Sequence, residues 1–142
     1  MRRMKTAAAL GLLALLLVIA PESRATTERD AGWASAYAPG VMEATVAWRL
    51  ERGVWRNPLP AGWYQVAGYV ATNDCSQVGL TATLVDPGGR AWPVLVADCG
   101  GAEPHGGAAW MTANDIVAEL DWGLWERLTA AHGRPLAVEL WR

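Results

Sequence analysis

Two short stretches of the 142-residue chain place an acid directly before a cysteine at the end of an apolar run: Asn73-Asp74-Cys75 and Ala97-Asp98-Cys99. Cys75 and Cys99 are the only two cysteines, and in an exported chain they are expected to pair as a disulfide. Such a bond holds its Cα atoms about 5.5 Å apart. If the backbone is still extended there, the residue before each cysteine points away from the sulfur side. Asp74 and Asp98 would then emerge on one side, within about 10 Å of each other. Two carboxylates so placed cannot both ionise freely, and the one with the raised pKa is suited to act as a general acid. The competing reading is structural, because aspartate at a strand end readily closes an Asx turn on its own backbone.

Export itself is read from the first 25 residues. Arg2, Arg3 and Lys5 precede an apolar run from Ala7 to Ala20, and Ser23-Arg24-Ala25 has the small-x-small form of a cleavage site. The run is 14 residues long, short of the roughly 20 that span a bilayer. The expected organisation is a signal peptide over 1–25, a loose polar tail over 26–31 and one folded domain over 32–142. The expected location is secreted or extracytoplasmic, with no membrane attachment after cleavage and a monomeric state.

Residues 26–142 carry eight Arg, no Lys and thirteen Asp plus Glu, a net charge of −5. The basic residues are scattered rather than striped, which excludes a nucleic-acid partner as the expectation. His105 and His132 have no ligand-like spacing to each other or to the cysteines, so neither a metal nor another cofactor is expected. Nine Trp and no Phe fit either a bulky core or stacking surfaces for sugars. No Gly-Lys-Ser/Thr follows the glycine pairs, so they are not phosphate loops.

The elements that must position these residues follow from periodicity and punctuation. Gly32–Tyr37 reads as a strand stopped by Pro39-Gly40, and Val41–Leu50 fits helix and strand equally. Tyr64–Thr72, Leu80–Val85 and Ala91–Ala97 read as strands, the last two joined by an Asp86-Pro87-Gly88-Gly89 hairpin turn. Thr112 reads as a helix N-cap with Asp115 as its capping partner and Ile116, Val117 and Leu120 as the apolar face. Trp122–Ala131 continues as helix to Gly133 and Pro135, and Leu136–Trp141 alternates as a closing strand. Strands with a helical insertion before the last one predict a small barrel or compact sheet.

These pieces resemble, in their order, the rare-lipoprotein-A-like, expansin-like and barwin-like proteins. Gly32-Trp33-Ala34-Ser35-Ala36-Tyr37 is similar to that family's opening strand. The hairpin over Leu80–Val85 and Ala91–Ala97 is similar to its central hairpin, and Asp98-Cys99-Gly100-Gly101 to its strand-ending acid and glycine. The helix from Thr112 and the strand Leu136–Leu140 match its closing elements. The resemblance implies a mainly β fold, a six-stranded double-psi β-barrel with a short helical insertion before the last strand. It also implies cell-wall or extracellular polysaccharide as partner. By that resemblance Asp98 takes the catalytic-acid position, with Asp74 its candidate partner, and Ser35 and Tyr37 take the first-strand hydroxyl and aromatic positions. Trp33, Tyr37 and Trp110 are candidate sugar platforms, and His105 a candidate glycan donor.

Two departures stand out. Active members carry a second acid in an Asp-Leu-Ser segment just before the helix, which by this matching falls on Trp110-Met111-Thr112, and a histidine where Asn73-Asp74 stands. The expected function is therefore binding or non-hydrolytic remodelling of peptidoglycan-type polysaccharide. The alternatives are a lytic transglycosylase using Asp98 with Asp74, and a barwin-like protein-interaction module.

Overall fold

A computed structural model of the chain describes residues 28–100 and 107–142. The expected signal segment 1–25, the start of the expected tail and His105 lie outside the described residues. Six strands, β1 (Arg29–Ala36), β2 (Gly68–Thr72), β3 (Thr81–Val85), β4 (Ala91–Cys99), β5 (Ile116–Leu120) and β6 (Leu136–Trp141), close into a barrel in the order β1-β5-β2-β4-β3-β6. Three helices accompany them: α1 (Val41–Arg52), α2 (Ala108–Ala113) and α3 (Trp122–His132). The expected six-stranded barrel with a short helix before its last strand is present.

The β1/β5 and β2/β4 pairs are parallel, and the other four pairs are antiparallel. Exchanging β1–β3 with β4–β6 maps the set of pairings onto itself, so the barrel has two-fold topology without a sequence repeat. Its interior is filled by Val70, Leu84, Val94, Val96, Leu120, Leu136 and Leu140, all nearly or fully buried. The inward and outward alternation of Leu136–Trp141 follows the pleat.

Four local expectations are corrected. The strand β1 begins at Arg29, because Arg29, Asp30 and Ala31 pair with Trp141, Leu140 and Glu139 of β6; a partner more than 100 residues away leaves no local trace. Trp63–Gln65 forms a 3₁₀ turn and the strand starts only at Gly68. Ile116–Leu120 is a strand, not a helical face: Ala118 and Leu120 are buried while Glu119 between them is not. β-Branched Ile116 and Val117 favour that state, and Asp115 at φ 54° ends α2 before them. The helix cap expected at Thr112 is instead Asp121, which accepts from Leu124 N at 2.9 Å and starts α3.

The ambiguous segment 41–50 is helical. Met42 and Val46 are its buried residues, and they pack with Ala71 of β2 and Ala97 of β4 into a second, smaller core outside the barrel. Arg49 follows on the same stripe, three residues after Val46. Gly53, at φ 64°, ends the helix in the left-handed conformation that glycine adopts without strain, its N–H donating to Arg49 O.

Candidate functional site

Asp98 stands near the end of β4, where Ala97 is inserted as a bulge: Val70 pairs with Val96, and Ala71 with Asp98. Strict alternation would send Ala97 and Asp98 to opposite faces. The bulge lets both face α1, Ala97 in the core under that helix and Asp98 on its Arg49. Arg49 Nη2 donates to Asp98 Oδ1 at 3.0 Å, and Tyr37 Oη donates to Asp98 Oδ2 at 3.1 Å. The Arg49–Asp98 pair is largely shielded, with 17% and 23% of the side chains exposed. Arg49 Nη1 caps Val54 O at 3.0 Å, and its guanidinium lies 5.9 Å from the Trp55 ring. Its Nε is buried without a partner.

A second acid completes the arrangement. Ala71 of β2 pairs on one side with Asp98 and on the other with Glu119 of β5, and Glu119 pairs in turn with Ser35 of β1. Ser35, Glu119, Ala71 and Asp98 therefore form one row across four strands. At about 4.8 Å per strand, the Cα atoms of the two acids are about 10 Å apart. Ser35 Oγ donates to Glu119 Oε1 at 3.2 Å. Burial holds the Glu119 carboxyl above its usual range, the Ser35 bond opposes this, and the nearby Asp98 charge adds to it. Tyr37 is likewise raised, first by burial and then by the charges of Asp98 and Glu119. Glu119 thus releases its proton less easily than a free glutamate, beside an acid that faces a permanent cation.

The residues expected at the site divide clearly. Tyr37 meets Asp98 directly, and Ser35 lies at the far end of the same row, on Glu119. Cys75 and Cys99 are bonded, with Cα atoms 4.8 Å apart, yet the bond does not make a pair of Asp74 and Asp98. After Thr72 the chain leaves the strand, and Asp74 caps the 3₁₀ turn Cys75–Gln77, accepting from Ser76 N at 2.9 Å and Gln77 Nε2 at 3.2 Å. The two acids share no partner. Asp74 is held below the usual carboxylate range, chiefly by its Ser76 bonds, the reverse of what a shared proton requires. The Asx-type reading holds for Asp74.

Trp33 is 42% exposed and Trp110 44%. Trp33 lies on the same outward face of β1 as Ser35, two residues away, and borders a cavity of about 590 Å³ lined by Gly32, Asp115, Ala137 and Glu139 among others. Trp110 is on α2, whose Thr112 Oγ1 accepts from Asn73 Nδ2 at 3.2 Å at the end of β2. Trp125 is buried and Trp122 partly so against the barrel, which suits packing. No group of three or more metal-ligating side chains occurs among the described residues.

Comparison of the chain with protein-family models, with curated proteins and with solved structures found no match. The site therefore stands on its own geometry. That geometry contains two residues that the spacing argument missed. Arg49 was traceable through the 42/46/49 stripe, which presents one helix face only if the segment is helical. Glu119 was hidden by reading 116–120 as helix. The segment just before α3 is Glu119-Leu120-Asp121.

Proposed function

We propose that the chain cleaves a peptidoglycan-type polysaccharide outside the cytoplasm, with Glu119 as general acid and Asp98 as its charged partner. The observation that carries this reading is the row Ser35–Glu119–Ala71–Asp98, in which the half-buried acid is separated by one strand from the acid anchored by Arg49 and Tyr37. Two carboxyl groups with environments that differ in this way are the equipment of glycosidic-bond cleavage. Glu119 gives its proton to the oxygen of the breaking bond. Asp98 faces the positive charge that develops on the sugar ring. Trp33, exposed on the face of β1 that carries Ser35, offers a flat apolar platform for a neighbouring sugar.

A second reading, glycan binding without cleavage, draws on the fact that the Asp98 carboxylate is already occupied by two donors. One experiment separates them. Purified peptidoglycan is incubated with the chain and the soluble products are analysed by mass spectrometry, with a pull-down on insoluble wall material run in parallel. Release of muropeptides that Glu119→Gln abolishes, with wall binding retained, supports cleavage; anhydro ends indicate attack by the sugar's own 6-hydroxyl, reducing ends attack by water. Wall binding without any product supports the second reading, and neither binding nor product removes both.

A further inference from the structure

At the opposite side of the hairpin from the acid row, a cavity of about 350 Å³ is lined by Asp86, Gly88, Arg90, Trp92, Arg127, Ala131 and His132. The hairpin turn and the last turns of α3 meet there. Asp86, with 3% of its side chain exposed, is the anchor: it accepts from Gly88 N and Arg90 N at 2.9 and 3.0 Å, from Trp92 Nε1 at 2.9 Å, and faces His132 Nε2 at 3.2 Å. Its charge is therefore spread over four donors.

The two arginines are in a different state. The Arg90 guanidinium lies 4.1 Å and that of Arg127 5.6 Å from the centroid of the Trp92 ring. Among the described residues neither guanidinium makes an ion pair, whereas Arg29, Arg49 and Arg142 each meet a carboxylate. Stacking on an aromatic face occupies the plane of a guanidinium and leaves its edge N–H groups free to donate. Two such edges and an imidazole border one cavity in a chain whose other arginines include three neutralised ones.

We propose that this cavity binds a phosphoryl group, with Arg90 and Arg127 as its donors and His132, held on Asp86, as part of its wall. Two guanidinium edges carried by separate elements, the hairpin and α3, meet a tetrahedral oxyanion from different directions. A planar carboxylate would be served by a single arginine fork. The formal charges, two arginines against Asp86, leave the rim positive. The site needs neither Glu119 nor Asp98, so it stands apart from the glycan reading.

The test is calorimetric titration of the full chain with inorganic phosphate and with glucose 1-phosphate, acetate serving as the planar control. Flotation with phosphatidylglycerol and with phosphatidylcholine vesicles distinguishes a lipid headgroup from a soluble phosphate. Arg90→Gln and Arg127→Gln are each expected to weaken binding about tenfold, the pair to abolish it, and Arg56→Gln to leave it unchanged. Thermal unfolding checks that the variants are folded, and the single variants carry the test if the double one is not. Capture of anionic vesicles alone supports the site and assigns its ligand to a headgroup. The proposal is overturned if no phosphate-bearing probe binds, if acetate binds as well as phosphate, or if the arginine variants bind like the parent.

Discussion

Asp98 and Glu119 are cross-strand neighbours of the same residue, Ala71, one on each side of β2. They are 21 residues apart in sequence and on strands that do not pair with each other. Their environments differ in kind: Asp98 is clamped by Arg49 and Tyr37, while Glu119 is half-buried and, among the described residues, has only the Ser35 hydroxyl on it.

The Glu119 carboxyl should set both activity and stability against pH. Its folded pKa is raised, chiefly by burial, so as pH rises the unfolded chain ionises first and stability is lost up to the folded pKa. Glu119→Gln removes that loss. We expect the variant to melt higher than the parent at pH 7 and the difference to vanish near about pH 4, while cleavage, which needs the protonated acid, falls on the alkaline side in the parent and is reduced by about 100-fold or more in the variant. Thermal unfolding and product assays across pH check both.

Arg49 ties α1 to the site. Arg49→Met should cost about 1–3 kcal/mol, since it leaves Asp98 shielded from water with one donor fewer. Denaturant unfolding of Arg49→Met, Asp98→Asn and the double variant forms a cycle, and a coupling energy near zero would contradict the pairing.

The two capping aspartates should behave unequally although both stand just past a strand. Asp121 is buried and satisfies Leu124 N and Tyr69 N; Asp121→Ala orphans both and should cost about 2–5 kcal/mol. Asp74→Ala, at a single exposed turn, should cost about 1 kcal/mol and leave any cleavage activity unaltered. Equal losses in denaturant melts would show that the cap, not the stitch to β2, matters at Asp121.

Reduction of Cys75–Cys99, which are 24 residues apart in sequence, should lower stability by about 3.5 kcal/mol in the chain-entropy view. The denaturation midpoint with and without reductant measures it.

Several features were legible locally. A two-cysteine chain allows one intramolecular disulfide, the Asp86-Pro87-Gly88-Gly89 turn announced the β3–β4 hairpin, and the alternation of Leu136–Trp141 announced β6. Each signal resides within a few consecutive residues. The segment 116–120 failed because five apolar-leaning residues satisfy both periods. Asp74 failed because its placement assumed an extended backbone that the 3₁₀ turn replaces.

What the chain alone determined is thus its turn chemistry, the cysteine pairing, the order of most strands, and Asp98, Ser35 and Tyr37 as residues to watch. Barrel closure decided the rest. Only closure sets β5 beside β1 and β2, so that Glu119 meets Ser35 84 residues away, and only the bulge at Ala97 turns Asp98 toward an arginine 49 residues back in the sequence. Local propensity acts over a few residues, whereas the register between strands is chosen by burying Val70, Val96 and Leu120 together; the positions of the polar residues between them follow from that choice.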